Sequence, residues 1–287
     1  MEQTDILFKN KLIETLRAFI EFCNAHSIKY YACGGTLIGA VRHHGLIPWD
    51  DDIDVWMLPD DYNKFCSLKG QVDGHYDIMD DRDENYWLLS LAKFVDTNTT
   101  LWETEHFPCV TGVYVDVFPL YECNKEEGLT LKREYDKTSY SLTYAMAQHP
   151  FSQLLELLLK GNIRLCLQYT IEKYYYRPNL KKFKTAYLTC VDKTKKAKGD
   201  MYISYDGMYG EKEIFPKKWF AETIIVPFED SEIHIPKEYH KLLTQLYGDY
   251  MQLPPEEKRV SHHSHYFLDL NRRWTIDEIK QYKKYNR

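Results

Sequence analysis

No apolar run in this sequence approaches the roughly 20 residues that span a bilayer; the best candidate, LLELLLKGNIRLCL, is interrupted by Glu156, Lys160 and Arg164. The opening MEQTDILFKNKLIETL is too acidic and too broken by charge to read as a secretory signal. No Cys-x-x-Cys occurs. The seven cysteines (Cys23, Cys33, Cys66, Cys109, Cys123, Cys166 and Cys190) are scattered and odd in number, which argues for free thiols in a reducing compartment rather than a disulfide framework or a zinc site. No long basic run offsets the net charge of −6, so nucleic acid is not expected as a partner. Internal repeats and low-complexity tracts are lacking as well. A soluble, cytoplasmic protein is the expectation.

What is present suits a soluble globular protein. A chain of 287 residues with 44% apolar and 28% charged side chains can bury a sizeable core. Apolar residues at helical spacing predict an amphipathic helix over about Asp5 to His26. IKYYAC then reads as a strand, stopped by Gly34-Gly35, with a helix through TLIGAVR. HHGLIPW is a loop, DIDVWM a strand, and Pro59 opens a helix to about Leu68. Further β-like runs, YWLLSLAKFV, TTLW and GVYVDVF, precede Lys- and Tyr-rich helices from about Asn124 to Lys198, broken at Pro150 and Arg177-Pro178. The last third returns to the strands ETIIVPF and EIHIP, a helix from Pro236 capped by Gly248, and a final helix that Thr275 and Glu278 box. The predicted organisation is one catalytic unit: a core over residues 1–123, a helical insertion over 124–200, with a separate helical domain as the alternative, and a C-terminal part, 201–287, that completes the site.

Four aspartates crowd into WDDDIDVWM. Because strand side chains alternate, Asp52 and Asp54 share a face while Ile53 and Val55 point to the core. Two such carboxylates can converge on divalent cations, which sit about 3.5–4 Å apart in two-metal sites. GVYVDVFPL supplies a third acid, Asp116, on a strand otherwise apolar; a lone carboxylate there needs compensation. An acidic run is otherwise a solvated turn, and Asp116 alone otherwise an ion-pair partner. An EF-hand frame from Asp50 fails, since Val55 falls where glycine is required.

Upstream, a glycine pair between strand and helix exposes backbone N–H groups to which phosphate can approach closely. Thr36 would cap that helix or contact a phosphate oxygen, and Arg42 offers bidentate phosphate recognition. His43 or His44 could act as a base or bind phosphate. Lys93 is either a snorkelling strand residue or a second phosphate ligand.

These residues carry a resemblance. Gly-Gly, then Asp-Ile-Asp, then an acid on a later strand is similar to the nucleotidyltransferase (polymerase-beta-like) superfamily. Within it, GGTLIGAVRHHGLIPWDDDID, VYVDVFPL and LYGDYMQLPPEEKRVSHH resemble the motifs of the LicD family of phosphotransferases, with their fukutin-type relatives. The resemblance implies an α+β fold, a nucleotidyltransferase-like mixed sheet flanked by helices with a helical insertion. It implies transfer of a phospho-alcohol, phosphocholine from CDP-choline above all, to a sugar hydroxyl of a cell-surface glycan such as teichoic acid, lipopolysaccharide or capsule.

On that reading Asp52, Asp54 and Asp116 hold Mg²⁺, two ions rather than one, with Mn²⁺ as the alternative. Asp116 or Asp51 takes the acceptor's proton. Gly34, Gly35, Thr36, Arg42, His43 and Lys93 bind the donor, and Arg259 and His262 close over its phosphates, unless they are simply a stacked surface pair. Trp49 and Trp56 flank the acids and could enclose a trimethylammonium head, or merely pack. Ribitol-, glycerol- or ethanolamine-phosphate donors stay open, as do a nucleotidyltransferase releasing pyrophosphate and a non-catalytic metal-binding scaffold. A lipid-linked glycan acceptor would leave room for peripheral contact at the inner membrane face through the helices after Phe151.

Overall fold

The first predicted helix is α1 (Gln3–Ala25), which buries Leu12, Leu16, Phe19 and Cys23 along one side. In this computed structural model residues 3–83, 91–261 and 265–285 are described. From α1 the chain enters β1 (Tyr31–Ala32), α2 (Gly34–Arg42), β2 (Asp54–Met57) and α3 (Pro59–Ser67). Then come β3 (Tyr76–Met79), β4 (Ala92–Asp96), β5 (Thr100–Trp102), β6 (Tyr114–Pro119) and β7 (Tyr121–Cys123).

Five of these strands form a mixed sheet in the order β1-β2-β6-β4-β3. Only the β2–β6 pairing within it is parallel; β1–β2, β4–β6 and β3–β4 run antiparallel. The two-residue alternation read from GVYVDVF is realised in β6. Val113, Val115 and Val117 join Ile53, Val55 and Met57 in the core beneath α1. Their neighbours Tyr114, Asp116 and Phe118 face the other side, into a cleft. One face of the sheet is therefore a packed floor and the other a working surface.

The helical middle comprises α4 (Lys125–Met146), α5 (Phe151–Leu159), α6 (Ile163–Ile171), a π-helical turn at Glu172–Tyr176 and α7 (Leu180–Lys196). Leu131, Tyr135 and Leu142 of α4 pack on Tyr187, Cys190 and Val191 of α7 in a cluster of their own. That cluster also takes in Ile203 and Ile214, from β8 (Met201–Ile203) and β9 (Ile214–Pro216), which with β7 form a small sheet in the order β7-β8-β9. A hairpin of β10 (Thr223–Phe228) and β11 (Ser231–Pro236), α8 (Tyr239–Tyr247), β12 (Phe267–Asp269) on β5, and α9 (Ile276–Tyr285) complete the chain.

Three boundaries differ from expectation. β2 begins at Asp54, so Asp52 and Ile53 precede the strand. Pro236 ends β11 opposite Thr223 instead of opening α8; with no N–H to give, proline is tolerated at a strand end. Most of the aromatic part of YWLLSLAKFV lies outside the described residues, and β4 starts at Ala92. The caps stand as read: Gly248 adopts φ +72° and its N–H reaches the Thr244 carbonyl, and the Thr275 and Glu278 side chains each accept from the other's backbone N–H.

Candidate active site

Three strands place three charged side chains in one row. Asp54 on β2 stands in register with Asp116 on β6, and Asp116 with Lys93 on β4; neighbouring strands lie about 4.8 Å apart. The row forms one wall of a cleft of about 460 Å³ that Gly34, Gly35 and Asp52 also line.

The glycines shape this wall. Gly34 takes φ +54°, and a Cβ there would stand 3.1 Å from Asp54 Oδ2. A Cβ on Gly35 would come within 2.4 Å of Asp50 Oδ2. The carboxylates therefore lie directly against the backbone at the start of α2: a Cβ on Gly35 would displace that of Asp50, and one on Gly34 would press on that of Asp54. Thr36 does not cap α2: Cys33 holds the N-cap position, and the buried Thr36 Oγ1 accepts the Asp54 N–H at 2.9 Å, tying helix to strand beneath the acids.

Charge in the row is unevenly balanced. The Lys93 ammonium donates to Asp116 Oδ1 at 2.7 Å, lies 3.8 Å from Glu103, and sits 3.2 Å from the centroid of the Tyr114 ring. The Tyr114 hydroxyl donates to Glu103 in turn. Burial raises the Asp116 carboxyl to about 6 against the pull of Lys93. Asp54 is pushed up harder, by burial and then by the charges of Asp52, Asp116 and Asp50. A buried carboxylate repelled by three others is the environment a divalent cation relieves, and hard carboxylate oxygens are the donors that Mg²⁺ and Mn²⁺ take. The donor chemistry suits such an ion, but among the described residues the three acids whose carboxylate oxygens come within 4.8 Å of one another are Asp50, Asp51 and Asp52, not the predicted set of Asp52, Asp54 and Asp116.

The other sequence-predicted residues fall elsewhere. Arg42 ends α2, about 12 Å of helix rise from Gly34, and its guanidinium donates to the carbonyls of Tyr250 and Gln252. His43 follows it, its imidazole held below the ordinary range by burial and by Arg42. Both stand outside the residues lining the acidic cleft. Trp49 packs between them and the C-terminal segment, with the His43 ring 6.3 Å away and the Arg259 guanidinium 5.6 Å from its own centroid. Trp49, Asp50, Asp51 and Arg259 line a second cavity of about 400 Å³, where Asp51 accepts from the Ser261 hydroxyl. The two cavities meet at Asp50–Asp52, whose carboxylate oxygens lie within 4.8 Å of one another. His262 lies outside the described residues.

The far wall of the cleft had no motif to announce it. Ser204, Asp206, Met208 and Tyr209 follow β8, and Glu213, Leu246 and Tyr247 stand with them. Tyr209 and Tyr247 meet edge to face, rings 5.1 Å apart at 80°. Burial lifts Glu213 to about 7. Trp56 and Phe118, two residues beyond Asp54 and Asp116 on their strands, floor the space between the walls. The run SYDGMYG was the available signal: a turn glycine among polar and aromatic residues after a strand.

The profile described as LicD/FKTN/FKRP, nucleotidyltransferase domain, matches residues 27–155, which include all of the acidic wall. The lipopolysaccharide cholinephosphotransferase LicD of Haemophilus influenzae is 30% identical over 253 residues, 88% of this chain and 92% of that protein. The chain belongs to the LicD family. A human LicD-family relative, the ribitol 5-phosphate transferase FKRP, is 35% identical over 113 residues, 39% of this chain and 21% of that protein. Both names describe transfer of a phosphorylated alcohol, choline phosphate in one case and ribitol 5-phosphate in the other.

Proposed function

We infer that the chain transfers phosphocholine from CDP-choline to a sugar hydroxyl of a cell-surface glycan. The observation that carries this reading is the row Asp54–Asp116–Lys93 with Asp52 beside it, at the foot of a cleft whose opposite wall is aromatic and acidic. Asp52, Asp54 and Asp116 would hold Mg²⁺. When bound, the ion supplies the positive charge that neutralises a diphosphate and a leaving CMP.

The chain's own residues do the rest. Backbone N–H groups at the start of α2, bare of side chains at Gly34 and Gly35, receive the donor's phosphates. Lys93 keeps Asp116 oriented and partly ionised. Asp116, held in place by Lys93, takes the proton of the attacking hydroxyl. The acceptor oxygen bonds to the phosphorus that bears choline, the phosphoanhydride bond breaks, and CMP departs with the electron pair. Asp51 is the weaker candidate for the base because it lines the second cavity and is held by Ser261.

The aromatic wall supports choline over an uncharged alcohol. A trimethylammonium group has no hydrogen to donate and is recognised by ring faces and anions. Tyr209, Tyr247 and Trp56 supply rings, Asp206 and Glu213 carboxyls, all lining the same cleft as the acids. Trp49, on the second cavity, has no place in that cage.

The deciding experiment incubates the protein and Mg²⁺ with CDP-choline, CDP-ribitol, CDP-glycerol and CDP-ethanolamine, with and without glycan acceptors, and follows CMP. CMP release fastest with CDP-choline, and lost in Asp54→Asn, is the expected result. Pyrophosphate release from a nucleoside triphosphate without CMP from any CDP-alcohol would overturn the reading.

A further inference from the structure

A second surface is marked by what it leaves uncovered. Along α5 the exposed side chains Phe151, Leu155, Leu158 and Leu159 recur at the spacing of one helix face, and Leu159 is 81% exposed. Along α6, Ile163, Leu167 and Ile171 do the same, with Ile163 62% exposed. Such i, i+4 spacing normally turns a stripe toward a core. Here the core-facing positions are others: Leu154 and Cys166 are buried, and the Cys166 thiol lies 3.6 Å from the Leu154 carbonyl between the two helices. Both helices thus have an inner contact and, separately, an apolar outer face.

The hairpin is firmly held. Asn162 caps α6 by accepting the Leu165 N–H, and just outside the hairpin His149 Nε2 and Glu172 Oε2 form a buried pair at 2.6 Å. A face carrying so many exposed apolar side chains calls for an apolar occupant.

Charge says which one. Residues 151–184 hold seven lysines and arginines against two glutamates, in a chain whose net charge is −6. Glu156 is paired with Lys160, and Glu172 with His149, so neither acid faces outward unanswered. Lys181, Lys182 and Lys184 stand exposed on the following helix, and Tyr174 and Tyr175 extend the α6 face. Leucine-rich apolar stripes edged by cations and tyrosines are the composition of helices that lie in a membrane interface. A second copy of this basic segment would bring like charges together. No helix of the described residues is long and apolar enough to cross a membrane.

We propose that the α5–α6 hairpin is a peripheral docking surface for an anionic lipid bilayer, lying in the interface with Leu159 and Ile163 inserted and the flanking lysines at the headgroups. The reading is independent of the catalytic one, and its assay needs no turnover.

The test is vesicle sedimentation of the full chain with phosphatidylcholine alone and with phosphatidylcholine containing a third phosphatidylglycerol. Wild type is expected to pellet with the anionic vesicles, less so at high salt. The double variant Leu159→Glu, Ile163→Glu is expected to lose on the order of tenfold or more of that affinity. Both sites are exposed, so its melting temperature should match wild type; a second variant, Lys181→Gln with Lys182→Gln, should weaken binding without touching the apolar stripe. Three outcomes would overturn the proposal: protein left in the supernatant of every vesicle, equal binding to neutral vesicles, or a wild-type dimer in sedimentation velocity that the double variant makes monomeric.

Discussion

Lys93 donates to Asp116 across adjacent antiparallel strands, Nζ to Oδ1 at 2.7 Å, with the lysine wholly withdrawn from water. The pair exists because a carboxylate on the inner part of this sheet needs a partner, and the register of β4 against β6 supplies one directly opposite. Replacing Lys93 by methionine keeps the volume and removes the partner. Breaking a buried pair in this way costs about 3 kcal/mol. Asp116 already stands at about 6 with Lys93 present, and the variant raises it further. The expected loss is therefore largest at high pH, shrinks as pH falls toward 6, and vanishes below it, where Asp116 is protonated in both folded proteins. Urea unfolding at pH 8 and pH 4.5 checks this; an equal loss at both would point to packing instead of charge.

Glu213 gives the opposite kind of variant. Burial raises its carboxyl from 4.5 to about 7. Between those values the folded state keeps a proton that the unfolded state has released, so stability falls as pH rises through this window and stays low above it. Glu213→Gln should equal wild type in stability near pH 4.5 and exceed it at pH 8 by about 1–3 kcal/mol. If the residue also faces choline, the same variant raises the donor KM about tenfold or more. Melting curves at the two pH values, set beside donor saturation kinetics, separate the two effects.

The sequence disclosed the acidic wall and concealed the rest of the cleft, for a physical reason. Asp116 was visible because alternation on a strand is local: Val113, Val115 and Val117 name the buried face without any knowledge of partners. Its pairing with Lys93 was not visible, since register across strands depends on a hydrogen-bond ladder between segments some twenty residues apart. Arg42 stands apart from the acidic cleft. A helix running from Gly34 to Arg42 carries the guanidinium to its far end, and helix rise alone was enough to say so. The wall of Asp206, Tyr209 and Glu213 arrives after the whole helical middle, and nothing within SYDGMYGEKE records what it will face.

The glycine pair predicts a separable result. Gly34→Ala must place a Cβ residue at φ +54°, a strain of about 1–2 kcal/mol, though its contact with Asp54 is only tight. Gly35→Ala has no positive φ but drives its Cβ to 2.4 Å from Asp50 Oδ2. The first variant should lose stability, and the second should displace the acidic turn. Under the proposed function, Gly35→Ala lowers kcat by about 10- to 100-fold while its Tm stays within a few degrees of wild type. Thermal melts and CMP release on the pair are the check, and a Gly35→Ala enzyme of full activity would free Asp50 and the α2 start from any role in the site.

Asp54 carries the last and most direct expectation. Its carboxyl is pushed far up by burial and by three neighbouring acids, so ionising it destabilises the metal-free fold. Asp54→Asn removes that burden and keeps the shape, and in EDTA at pH 8 it should melt higher than wild type. Adding Mg²⁺ reverses the comparison. An ion that binds only the folded state stabilises it by about 2.7 kcal/mol at a hundred times its Kd, which wild type should show as a rise in Tm and the variant should largely lack. CMP release should fall by about 100-fold or more in the variant at every Mg²⁺ concentration. A wild-type Tm indifferent to Mg²⁺ and Mn²⁺ up to about 10 mM would break the link between the carboxylate row and a divalent ion, leaving Lys93 as the row's only counter-charge among the described residues.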